Sequence, residues 1–322
     1  MNNSDKPLMN SQVKFKYIII LIFFALLSCK FENKNELGMH AQQTSSTDRK
    51  EYSLYYELNM PFEILLNDVI VEKNMDTGMD GPDQLNQFIL KNGEQKIKLK
   101  VVHPFVENGG KIKPEDLALI DDKLRIYLKD ESVNDGKLQL VKDLKFPKIN
   151  YAVPYIETEW SFDAEVPFQL KGWKDSKDLR LFEKKELEKM VINKFEKLRN
   201  LLNAGNSNDF MKELEFRNTE FYSASYFNPS QISDYERNLI ATFDKFENNM
   251  LPLEPCTMRI LGDGRVVSLE RIGKYEGQGV LVAEDRETKK LYTNYVLLHI
   301  PSGKNVFEIV RMNSLITSID DE

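Results

Sequence analysis

The chain reads as an α+β protein in which an N-terminal antiparallel β-sandwich is followed by helices and a closing antiparallel meander. Three observations carry that expectation. Between residues 51 and 172, apolar residues alternate with polar ones over short runs broken by Asn-Asp and Asn-Gly pairs, the pattern of half-buried strands and tight turns. After Ser176 the apolar spacing lengthens to the three and four of a helix, and beyond Pro255 it returns to two. Strands, then helices, then strands, with no βαβ rhythm, favour segregated layers over a parallel sheet.

FEILLNDVIVEKN holds Asn67 and Asp68 between two apolar runs and predicts a hairpin. In NQFILKNGEQKIKLKVVHP, Asn92 and Gly93 predict a hairpin turn before a strand with Ile97, Leu99 and Val101 on one face, and LRIYLKD alternates through Leu124, Ile126 and Leu128. IETEWSFDAEV puts Ile156, Thr158, Trp160, Phe162, Ala164 and Val166 on one face and Glu157, Glu159, Ser161, Asp163 and Glu165 on the other. Such strands predict two packed sheets of immunoglobulin-like or jelly-roll kind.

Leu187, Met190, Val191, Phe195, Leu198, Leu201 and Leu202 then form one helical stripe, with Gly205 as its stop. Phe210, Leu214, Arg217 and Phe221 predict a second helix. Ser233 and Glu236 read as the capping box of a third through Leu239, Phe243 and Phe246, ended by Pro252 and Pro255. CTMRIL and RVVSLERI flank Gly262-Asp263-Gly264, GVLVAED precedes Arg286-Glu287-Thr288, and LYTNYVLLHI is joined to NVFEIVRM through residues 301–304, which predicts the meander. The order of these last elements is similar to that of cystatin-like or NTF2-like domains, an analogy that implies a sheet wrapped on a helix and no particular function.

Ahead of all this, Lys14 and Lys16 precede an apolar run from Tyr17 to Leu27 that is shorter than the roughly 20 residues a spanning helix needs. The run ends in Leu26-Leu27-Ser28-Cys29, which resembles the lipobox of bacterial lipoprotein precursors. The resemblance implies removal of residues 1–28, acylation of Cys29 and attachment of the mature chain to a membrane, with Met9 as an alternative start. Lys30 in place of an aspartate implies, by the same resemblance, an outer-membrane destination. Residues 29–50 are polar and aperiodic and read as a flexible tether. The expected organisation is therefore signal peptide 1–28, tether 29–50, sandwich 51–172 and α+β domain 173–322.

The formal net charge of −7 becomes −9 once residues 1–28, with one acid and three lysines, are removed. So acidic a chain disfavours nucleic acid and suits a basic protein partner. With Cys29 acylated, Cys256 has no second cysteine to pair with.

Glu157, Glu159, Asp163 and Glu165 form a row of carboxylates on one strand face, suited to docking a basic partner; the alternative is a solvated face balanced by lysines on neighbouring strands. NMDTGMDGPD has the composition of a calcium loop, but Gly78 and Gln87 stand where ligands are required. His103 and His299 belong to no zinc motif, no G-x-S-x-G elbow occurs, and Ser302-Gly303-Lys304 lacks the context of a phosphate loop. The chain is thus read as a binding protein without cofactor or metal, most sharply an immunity protein blocking a secreted toxin such as a phospholipase. A glycan- or nutrient-binding lipoprotein and an envelope enzyme with a pocket in the C-terminal meander are the alternatives.

Overall fold

The computed structural model describes residues 49–75, 78–133, 136–253 and 255–319. The signal segment, Cys29 and the tether as far as residue 48 lie outside the described residues. The chain is an α+β protein with antiparallel sheets.

Strands β1 (Lys50–Tyr55), β2 (Glu57–Leu58), β3 (Phe62–Leu66), β4 (Val69–Asn74), β5 (Met79–Asp80), β6 (Asp83–Gln84) and β7 (Gly93–Val102) come first. Helix α1 (Pro114–Asp121) and strands β8 (Arg125–Asp130), β9 (Leu138–Asp143) and β10 (Tyr155–Ala164) follow. They make two four-stranded sheets, ordered β6-β1-β8-β9 and β10-β7-β3-β4, and a β2-β5 pair. One apolar cluster joins the larger sheets, with Tyr52, Leu54 and Ile126 meeting Phe62, Ile64, Leu99 and Phe162. The rings of Tyr52 and Phe162 are 6.1 Å apart across it. Asn67 and Asp68 both take positive φ between the paired Leu66 and Val69, the mirror-image turn whose twist suits a two-residue hairpin.

The second half contributes α2 (Lys184–Asn203), α3 (Ser207–Glu213), α4 (Glu215–Ala224) and α5 (Pro229–Phe243). Strands β11 (Cys256–Leu261), β12 (Val266–Arg271), β13 (Leu281–Asp285), β14 (Lys290–His299) and β15 (Glu308–Ser318) complete the chain. Their sheet runs β11-β12-β14-β13, with β15 on the other edge of β14. One face, through Tyr292, Val296 and Leu298, joins a cluster with the α2 stripe of Leu187, Val191, Phe195, Leu198 and Leu202. The opposite face, through Tyr295 and Leu297, belongs to the core of the N-terminal sheets. The C-terminal sheet is thus the wall between two cores, and all the described residues fall in one compact unit.

Arg311, 1% exposed, fastens that wall. Its Nε donates to Gln87 O at 2.7 Å and its Nη1 to Glu220 Oε2 at 2.8 Å. Glu220 Oε1 in turn accepts the backbone N–H groups of Lys171 and Gly172 at 2.7 and 2.8 Å. Gly172 has φ of +51°, and a Cβ there would lie 2.5 Å from Leu90 Cδ2, so no larger residue fits without displacing Leu90.

Four readings of the sequence need correction. Gly93 does not turn a hairpin: residues Asn86–Phe88 form a 3-10 turn, and β7 pairs with β3 and β10 instead. The helix expected through Phe210 and Phe221 is broken at Leu214 into α3 and α4. Helix α5 begins four residues before Ser233, because Asn228 caps it through a reciprocal bond with Gln231 and Pro229 fits the first turn. Helix α1 was not expected; Pro114 opens it and Asp116 Oδ2 accepts the Lys113 N–H at 2.8 Å.

Candidate functional site

The carboxylate row lies where alternation put it, with Glu157, Glu159 and Asp163 exposed on edge strand β10 and Glu165 exposed just past its end, while Ile156, Phe162 and Ala164 on the strand and Val166 after it are buried. Its partner strand matches it with the opposite sign. Glu157 stands opposite Lys100, Glu159 opposite Lys98 and Ser161 opposite Lys96, and Glu159 also reaches Lys96 at 3.7 Å. Glu165 pairs with Lys50 at 2.8 Å and holds that ammonium above the usual lysine range. One rung breaks the pattern: Asp163 is directly opposite Glu94, and both are exposed. Like charges in that relation destabilise a sheet by a few tenths of a kcal/mol, which a cation from outside would reverse.

The same charged face continues inward and disappears from solvent. Lys73, Glu63, Lys100 and Glu157 are in register across β4, β3, β7 and β10, so signs alternate through all four strands. The β3–β4 end is covered by the C-terminal sheet, where Lys73 Nζ reaches Glu63 at 2.7 Å and Glu270 at 3.0 Å. Arg259 donates to both oxygens of Glu63, at 2.7 and 3.0 Å, and to Glu270 at 3.0 Å; Tyr295 donates to Glu270. Burial alone would raise Glu63, but the Arg259 hydrogen bonds and the Lys73 charge bring it down to about 2.

A second pair of acids behaves oppositely. Tyr56 donates to Asp83 Oδ2 at 2.7 Å, and Glu72 accepts the Lys73 N–H at 2.8 Å. Burial, and for Glu72 the nearby Asp83 charge, push Glu72 up to about 8 and Asp83 to about 6. A carboxyl raised in the fold binds protons more tightly there than in the unfolded chain. Its stabilisation is therefore complete at acid pH and declines as pH climbs from the unfolded value to the folded one. The two carboxyls together are expected to cost on the order of 2 kcal/mol between pH 5 and pH 8, less than full linkage because Glu72 keeps part of its surface in solvent, while His299, lowered to about 3 by burial, contributes in the opposite sense up to its unfolded value. The free-energy gap in urea unfolding between the wild type and Glu72→Gln/Asp83→Asn, in which the His299 contribution cancels, should change by that amount between pH 5 and pH 8; a constant gap would remove this pair as the cause.

Where the N-terminal sheets cease to cover the C-terminal one, an open groove of about 740 Å³ remains. Leu291 and Thr293 of β14 and Leu315 and Thr317 of β15 floor it, and Asn74 and Met75, the 274–278 loop and the β13–β14 hairpin line the rest of it. Glu284, buried in that lining, accepts Lys274 Nζ at 2.8 Å, Tyr275 OH at 3.1 Å and Arg286 Nη2 at 3.3 Å. These bonds, Lys274 first, hold its carboxyl below the usual range.

The remaining sequence candidates are structural in setting. His299 is buried, its Nδ1 lies 2.7 Å from Ser176 Oγ, and burial with the Arg311 and Lys304 charges lowers it to about 3. His103 Nδ1 accepts the Phe105 N–H in a turn, and Cys256 is half-buried at the start of β11. Met79 and Asp80 of the acidic loop pair with Leu58 and Glu57. Among the described residues no group of three or more His, Cys, Asp or Glu is placed to hold a metal ion, and no helix is long and apolar enough to cross a membrane. Tyr55 packs edge-on to Tyr127 at 5.0 Å while Tyr56 is buried, so the two point apart.

For the groove the sequence offers only the alternative of a pocket in the C-terminal meander, with no lining residue, and the buried ion cluster was missed. A signal for the second existed: Glu63 in FEILL, Arg259 in CTMRIL and Glu270 in VVSLER each place a charge inside an apolar strand. No family model, curated protein or solved structure matches the chain.

Proposed function

We propose that this chain is a membrane-anchored lipoprotein that recognises a macromolecular partner at the cell envelope without catalysing a reaction. Its sharpest form is an immunity protein that binds and blocks a secreted antibacterial toxin, such as a phospholipase effector, with Cys29 as the lipid attachment point and the outer membrane as destination. The observation that carries recognition is the exposed β7–β10 ladder, compensated at Glu157 and Glu159 but left with two adjacent carboxylates at Glu94 and Asp163. A basic side chain from a partner relieves that repulsion, whereas it gains less at rungs already holding a lysine. Partner contact is accordingly centred on Asp163 and Glu94, with Glu157, Glu159 and Glu165 flanking. We read the two N-terminal sheets as a sandwich of immunoglobulin-like or jelly-roll type, and α2 with the C-terminal sheet as cystatin-like or NTF2-like.

Cross-linking in intact envelopes, read by mass spectrometry, tests the assignment. Glu94→Lys/Asp163→Lys is expected to reduce the principal cross-linked protein about tenfold or more at moderate salt, and Glu157→Lys/Glu159→Lys distinctly less. Equal yields from wild type and both variants would take the ladder out of the interface.

A further inference from the structure

The groove on the C-terminal sheet has the build of a ligand site that the partner-binding ladder does not use. Its volume of about 740 Å³ falls in the range of small-molecule pockets, roughly 300–1,000 Å³. The floor carries Leu315 and Ile319, both half-buried, beside the buried Leu291, so a chain of methylenes laid over Leu315 and Ile319 removes apolar surface from water. The rim carries Lys274, Arg286 and Lys289 together with Glu276 and Glu284.

Glu284 explains why Lys274 and Arg286 gather. Its buried carboxylate anchors Lys274, Tyr275 and Arg286 at one wall, yet the side chains of Lys274 and Arg286 remain 57% and 85% exposed. Each therefore keeps donors directed to solvent, since a guanidinium has five and an ammonium three. Cations grouped at one wall beside an apolar floor match a ligand with a charged head and a hydrocarbon tail.

We infer that the groove binds a long-chain carboxylate, its acyl chain over Leu315 and Ile319 and its head group against Lys274 and Arg286. A free phosphate would leave the floor unused, and a cationic amphiphile would meet the rim with like charge. This inference rests on the groove alone and stands or falls separately from the ladder.

The test is displacement of dansyl-undecanoate from the full-length chain carrying Cys29→Ala, in detergent-free buffer. Dodecanoate is expected to compete saturably and about tenfold or more better than dodecyltrimethylammonium, the scale of one charge-assisted contact. Arg286→Glu should erase that preference, and Leu315→Glu should abolish binding, with unchanged melting temperature as the check on folding. If Leu315→Glu unfolds, the exposed Arg286→Glu carries the comparison. No saturable binding, equal competition by the two amphiphiles, or binding indifferent to both variants would overturn the assignment, the last placing the probe on the apolar segment 17–27. Competition by hexaglutamate as strong as by dodecanoate would make the rim a polyanion site and overturn it equally.

Discussion

Glu220→Ala is expected to lower the unfolding free energy by about 3–5 kcal/mol, a large share of the 5–15 kcal/mol that a domain commonly has. Removing the carboxylate leaves Arg311 charged and almost wholly buried, with Nε on Gln87 O, Nη1 on Val310 O and the Trp173 ring 5.4 Å away. It also strips the acceptor from the Lys171 and Gly172 N–H groups. Glu220→Gln keeps an acceptor for those two and should lose less, while Glu220→Ala/Arg311→Met removes the stranded charge and should recover most of the difference. Urea unfolding measures all three. A Glu220→Ala loss below about 1 kcal/mol would mean that Arg311 reaches water once its partner is gone.

Lys73→Met is the second large effect, about 3 kcal/mol at pH 7. Lys73 Nζ sits between Glu63 and Glu270 with its side chain 4% exposed, so its loss leaves two carboxylates sharing Arg259. The pH dependence identifies the mechanism. Glu63 is depressed to about 2, so its contribution is present above the unfolded value and is lost as pH falls through the folded one. In the variant Glu63 titrates higher and has less to lose. The gap between wild type and Lys73→Met should therefore shrink steadily as pH is lowered from 5 toward 2, and a constant gap would indicate lost packing instead.

Strands were legible where one face is apolar and the other wet. β7 and β10 follow their alternation because Ile97, Leu99, Val101, Ile156 and Phe162 have a single core to enter. The α2 stripe was legible for the same reason. What escaped was any surface whose environment is set by distant chain. Glu63 and Lys73 are charged residues whose burial follows only from the arrival of Arg259 and Glu270 from the C-terminal sheet. The start of α5 escaped because two capping boxes fit the sequence; Asn228 wins with a proline at the first turn, and Glu236 is engaged by Tyr222 OH at 2.9 Å instead. Of the candidate site, the carboxylate row and the alternative of lysines balancing it from a neighbouring strand were legible, but which lysine faces which acid was not, since register cannot be read from one strand. The groove depends on where one sheet stops covering another, which no local pattern records.

Native mass spectrometry of the protein gently extracted from membranes tests tethered recognition most directly. The expected species is a chain that begins at Cys29, carries the added mass of acyl groups, and holds one copy of a single protein partner that Glu94→Lys/Asp163→Lys releases. An unacylated chain beginning upstream of Cys29, or an acylated chain with no protein bound under cross-linking conditions, would contradict it.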